Sequence, residues 1–201
     1  MLEIAEFIPP TPSPLWKLAK QAGVDLAVGG LAPDDLLQGD KPWDLGPLTR
    51  SKARYEAGGF ELRVIESRPP LNNAKRGLPG RDEEIATVCT LLESVGRLGV
   101  PVWCSAWLPD FNWVRTNMAP PSRGGSVVTS FNIEDVPENL TSNPPIGEDA
   151  LWTNLEYFLR KVLPVAEKFG EGFDFRQSTE TTGGLLRRHA RGDPGGDPAP
   201  G

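Results

Sequence analysis

Apolar positions along residues 1–170 follow two alternating patterns, short runs of about six residues and longer stretches where they recur at i, i+3 and i+4. The short runs at 3–8, 24–29, 60–67 and 100–106 predict strands. Between them the spacing predicts helices. Ser13 caps the first in this reading, with Pro14 at its first position, Leu15, Leu18, Ala19 and Ala22 on one face, and Gly23 as the stop. The second is expected near 47–57, ended by Gly58-Gly59. The third covers 81–98, where Ile85, Val88, Cys89, Leu92 and Val95 share a stripe and Asp82-Glu83-Glu84 complement the positive N-terminus. The strongest period lies in Leu151, Trp152, Leu155, Phe158, Leu159, Val162, Leu163, Ala166 and Phe169, with Pro164 expected to kink that helix.

Strands alternating with helices predict an α/β fold, a parallel sheet covered by helices. Four strand–helix units are half of an eight-fold barrel, which needs about 250 residues. The expected fold is therefore a partial TIM (β/α)8 barrel over residues 1–170, followed by a disordered Gly/Pro/Arg-rich tail over 171–201. A fifth strand is due after Gly170, but EGFDFRQ is polar or charged at four of its seven positions. A shifted reading frame would produce such a tail. The connection at 107–147 is too long to be passive, so it is expected to be functional or partly mobile.

Charge and composition narrow the partners. A net charge of −6 argues against nucleic acid and anionic membranes, which reward clustered Lys and Arg. No run approaches the roughly 18 apolar residues of a membrane span, and no leader pattern opens the chain, so a cytoplasmic location is expected. Two cysteines make no disulfide framework. Open sheet edges would allow two copies to pair as a homo-oligomer.

In parallel α/β barrels the C-terminal strand ends hold the site. Glu66 after the third strand, SAWLPDFNWVRTN (105–117) after the fourth, and the Arg123-Gly124-Gly125 turn occupy that end. Arg115 could take a carboxylate through two parallel hydrogen bonds, and Trp107 and Trp113 could wall a pocket or simply pack. No metal ligand set emerges. His189, the only histidine, lies in the tail; Cys89 belongs to a helix stripe; the direction of Cys104 stays open. Without a Gly-rich phosphate loop, a Ser/His/Asp set or a CxxC pair, hydrolase, nucleotide and redox readings lack support.

Five segments, in order, resemble the mannonate dehydratase family: SPLWKLAKQAGVDLAVGGL (13–31), RVIESRPPLNNAKRGLPGRDEEI (63–85), VGRLGVPVWCSAWLPDFNWVRTN (95–117), SRGGSVVTSFN (122–132) and ALWTNLEYFLRKVLPVAEKFG (150–170). The resemblance implies a (β/α)8 lyase of glucuronate catabolism that dehydrates D-mannonate with Mn²⁺ or Fe²⁺. A base would take the C2 proton, an acid would help the C3 hydroxyl leave, and the metal would polarise the substrate oxygens. It also implies that Glu66, Trp113 and Arg115 line the substrate, a small sugar acid. The family's His-Pro-Asp-Asp strand and its later His and Cys metal ligands have no counterpart here, and Asn112 stands where relatives often carry Asp. The alternative expectation is a catalytically inactive truncated fragment lacking the metal site.

Overall fold

A computed structural model describes residues 3–67, 69–109, 114–137, 144 and 146–169, together with the strand backbone of 174–178. Five strands form one parallel sheet in sequential order: β1 (Ala5–Phe7), β2 (Leu26–Gly29), β3 (Glu61–Glu66), β4 (Val102–Ala106) and β5 (Asp174–Ser178). Each successive strand is laid beside the last with helices between, as a barrel requires. The helices are α1 (Pro14–Gln21), α2 (Leu45–Ala57), α3 (Asn72–Arg76), α4 (Arg81–Arg97) and α5 (Glu148–Glu167). The result is four strand–helix units and a fifth strand, the partial-barrel architecture expected from the alternating pattern.

One sheet face is buried beneath the helices. Ile8, Ala27, Ile65 and Trp103 on that face are at most 1% exposed and pack on Leu48, Tyr55, Val88, Leu92, Val95, Phe158 and Val162 in a single core. The opposite, barrel-interior face carries Leu26, Val28, Val64, Val102, Cys104 and Ala106, all only partly buried. The period-two alternation is interrupted once. Ala27 pairs with Leu62, but Val28 pairs with Val64, so the register slips and Arg63 is left over as an extra residue. Leu62 and Ile65, three positions apart, are therefore both buried. Such a bulge re-aims every side chain beyond it.

Several local expectations change. Asp174–Ser178 pairs in parallel with Val102–Ala106 although the polar pattern of 171–177 argues against a strand. Ladder pairing is made by backbone groups, and an outer strand need not be apolar on both faces. Ser13 occupies the N-cap of α1 with extended backbone, yet its hydroxyl makes no capping bond and is buried without a partner among the described atoms. The first turn closes instead through the Trp16 amide donating to the Ser13 carbonyl at 3.0 Å. The short α3 has no clear periodic signal in the sequence. Helix α5 runs through Pro164 to Glu167 without ending there. Residues 179–201, including His189, lie outside the described residues.

Candidate functional site

Four βα connections converge on the C-terminal edge of the sheet. At β1 and β2 the Tyr55 phenol, fully buried on α2, donates to the Ile8 carbonyl at 2.8 Å and stacks on Trp16 with ring centroids 5.4 Å apart. Gly29 makes room for it, since a Cβ there would sit 2.1 Å from the phenol oxygen. A Cβ on Gly30 would meet the Glu66 carbonyl at 3.2 Å, a tight contact at the place where the ends of β2 and β3 approach. Burial raises the Tyr55 pKa, a bond with the Gly30 backbone lowers it, and the charge of Asp35 raises it again, to about 12 in all.

The second connection, residues 30–44, is tied to α2 by a charged network. Asp35, only 3% exposed, accepts from the Ser51 hydroxyl at 2.6 Å and from the Arg54 guanidinium at 2.7 Å. The Ala32 amide donates to Ser51 Oγ at 3.2 Å, and Arg50 Nε donates to the Asp35 carbonyl at 2.9 Å while its guanidinium pairs with Asp40. Burial opposes the charged carboxylate, but the Arg54 and Ser51 hydrogen bonds outweigh it and hold Asp35 below the ordinary carboxylate range.

Glu66 is the last residue of β3 and is half-buried. The Arg63 bulge sets it on the interior face, in register with Cys104 of β4. That answers the open direction of Cys104: it shares Glu66's face, whereas its neighbour Trp103 is fully buried beneath the helices and donates from Nε1 to Ser67 Oγ at 2.9 Å. Cys89 lies on α4, partly buried against the core, with its thiol pKa pushed up by burial and by Glu93, which suits packing better than nucleophilic chemistry.

The third and fourth connections are cross-linked. Lys75 Nζ donates to the Leu108 carbonyl at 3.0 Å, Arg76 to the Pro144 carbonyl, and Asn154 Nδ2 to the Lys75 carbonyl at 3.0 Å. Within 107–147 the chain forms an exposed antiparallel ribbon bridged at Asn117–Ser130 and Pro121–Val127, with Arg123–Gly125 at its tip. Gly124 and Gly125 have φ of 66° and 77° there, a conformation that favours glycine. Arg115 is exposed on this ribbon, donating to Thr129 Oγ1 at 3.1 Å and to the Val114 carbonyl at 3.0 Å. Trp107 is 4% exposed and packs on Phe158 with centroids 5.0 Å apart, so it belongs to the core. Asn112 and Trp113 lie outside the described residues.

The structure places Glu66 at the end of β3 and Arg115 on the connection after β4, and it adds the Asp35 network, which sequence reasoning missed. The Asp35 network left one faint signal, an acidic pair after Pro33 opposite Ser51 and Arg54 at i, i+3 on a predicted helix. A cleft of about 260 Å³ lies between the second and third connections, lined by Pro42, Trp43, Ser67, Pro69, Pro70 and Leu91. Among the described residues no three His, Cys, Asp or Glu side chains group together as a metal site would need, and no helix is long and apolar enough to cross a membrane.

The family model described as D-mannonate dehydratase (UxuA) matches residues 15–144. Mannonate dehydratase from Streptococcus pneumoniae (strain 70585) is 32% identical over 155 residues, covering 64% of this chain and 42% of the relative. That from Endomicrobium trichonymphae is 29% identical over 191 residues, covering 79% and 52% respectively. The crystal structure of mannonate dehydratase from Streptococcus suis serotype2 superposes with a TM-score of 0.75 at 27% identity, covering 88% of this chain and 53% of that one. The chain spans about half the length of the curated relatives it matches.

Proposed function

The chain belongs to the D-mannonate dehydratase family, and on that premise we propose that it serves the dehydration of D-mannonate to 2-dehydro-3-deoxy-D-gluconate, a hydro-lyase reaction of glucuronate catabolism in the cytoplasm. One observation carries the reading: the match over 15–144 takes in the ends of β2, β3 and β4, the edge at which parallel α/β barrels bind substrate. In this proposal Arg115 pairs with the sugar acid's carboxylate through two parallel hydrogen bonds. Glu66 accepts hydrogen bonds from substrate hydroxyls on the interior face, and Trp113 completes the wall.

A divalent metal, Mn²⁺ or Fe²⁺, is part of the reaction proposed; bound, it would act as a Lewis acid on the substrate oxygens. The described residues do not fit it, because they bring no three suitable ligands together. What this chain's own residues contribute is therefore binding and orientation. Arg115 leaves the ribbon backbone to engage the carboxylate, and Glu66, on the rigid end of a central strand, fixes the polyol's rotation about it.

The test is calorimetric titration of the 201-residue chain with D-mannonate, alongside an assay for the 2-keto acid product with Mn²⁺ or Fe²⁺ supplied. Arg115→Ala should weaken binding roughly tenfold to a hundredfold, the scale of one hydrogen bond to a charged group, about 1.5–3 kcal/mol. Absence of any binding to the parent chain would end the proposal. The second reading, a chain that is catalytically inactive, is favoured by the missing three-ligand group among the described residues. Binding without product at any metal concentration would decide for it.

A further inference from the structure

We infer that Asp35 is a positioning residue: it locks the 30–44 connection onto α2 and thereby holds Trp43 as a preformed wall of the cleft facing Ser67, Pro69 and Pro70. The connection is longer than the two to six residues usual for a βα link, so its conformation must be set by specific ties. Those ties converge on one buried carboxylate. Ser51 and Arg54 bind its two oxygens, and Arg50 binds its carbonyl while pairing with Asp40. From Asp40 the order is passed along the backbone. The Leu37 amide donates to Asp40 Oδ2 at 3.0 Å, the Asp40 amide to the Leu37 carbonyl at 3.0 Å, the Lys41 amide to Asp44 Oδ2 at 2.9 Å, and the Asp44 amide to the Lys41 carbonyl at 3.0 Å. Trp43 sits inside this last turn, partly buried against the core, and lines the cleft beside Pro42.

A buried ion pair is a poor source of stability compared with an apolar residue of equal volume. What a carboxylate bonded on both oxygens supplies is direction. On the far wall Ser67 accepts from Trp103, and the two prolines have restricted backbones. The Trp43 wall is therefore set before any ligand arrives. That Asp35 holds Trp43 does not depend on the function proposed above, which places the sugar acid at Arg115 and Glu66.

Amide hydrogen exchange and the indole resonance of Trp43, assigned through Trp43→Phe, test the lock in the intact chain without ligand. Asp35→Asn should speed exchange at Asp40 and Asp44 tenfold or more and shift or broaden the Trp43 signal, while the Leu62 and Ile65 amides of β3 keep their protection. Unchanged loop exchange and an unchanged Trp43 signal would overturn the inference. So would exchange that rises equally at β3, since Asp35 would then support the fold as a whole. Should Asp35→Asn fail to fold, Ser51→Ala removes the Ser51 bond to Asp35, together with the Ala32 amide's bond to Ser51 Oγ, and leaves Arg54 in place, and the same readouts decide. D-mannonate binding is measured separately, so failure of the lock is distinguishable from failure of the proposed function.

Discussion

Replacing Tyr55 with Phe removes one oxygen from a closely packed junction between α2 and the ends of β1 and β2. The phenol is fully buried and its hydroxyl donates to the Ile8 carbonyl at 2.8 Å, where Ile8 is itself 0% exposed. The ring's packing on Trp16 is retained by Phe, so the change isolates the phenol oxygen's hydrogen bonds, to the Ile8 carbonyl and with the Gly30 backbone. Leaving a buried carbonyl without its donor costs about 1–3 kcal/mol, more than the roughly 1 kcal/mol net worth of a typical bond. Urea unfolding at pH 8 should therefore show the variant less stable by about 2 kcal/mol with an unchanged m-value. The same structure predicts how that gap varies with pH. Burial raises the Tyr55 pKa from 10.0 to about 12, so the neutral phenol is favoured in the folded state. The stability this contributes is complete below pH 10 and lost as pH rises towards 12. At about 1.4 kcal/mol per pH unit of difference, the parent should lose up to about 3 kcal/mol over that window that Tyr55→Phe does not. Other alkaline titrations act on both proteins and cancel in the comparison, so the two stability curves should converge by about pH 12. A gap below 0.5 kcal/mol (about a quarter of the expected cost) at pH 8, or a gap that stays constant to pH 12, would refute the reasoning.

Two further substitutions probe the same framework. Gly29→Ala would place a Cβ 2.1 Å from the Tyr55 oxygen and 2.5 Å from Cζ, an overpacking that should cost about 1–3 kcal/mol or more in urea midpoint measurements. A wild-type midpoint would show that Tyr55 can move aside. Ser13→Ala, which at an ordinary N-cap costs about 1 kcal/mol, should change stability by less than about 0.5 kcal/mol, because the Ser13 hydroxyl makes no cap bond. A full cap-sized loss on thermal unfolding would mean that the hydroxyl reaches the helix amides in solution.

Local pattern was enough to read the four strand–helix units, the parallel sheet and the family. Each of these depends on a residue's own neighbours: period two or period 3.6, a proline at a helix start, a glycine at its stop, and segments such as 95–117 whose spelling is shared with relatives. It was also enough to put Glu66 at the end of a strand and Arg115 on the connection beyond the next. The face that Glu66 occupies was a different matter. Counting alternately from Leu62 puts Glu66 among the helices, and only the slip of register against β2, which makes Arg63 an extra residue, turns it to the barrel interior beside Cys104. The pairing of the polar Asp174–Ser178 with β4, the convergence of Ser51 and Arg54 on Asp35, and the idle hydroxyl of Ser13 are of the same kind. Each is settled by hydrogen-bond partners that folding brings from tens of residues away, or by their absence. Hydrophobic periodicity records which side of an element is buried, on average, but carries no term for the register of its neighbour.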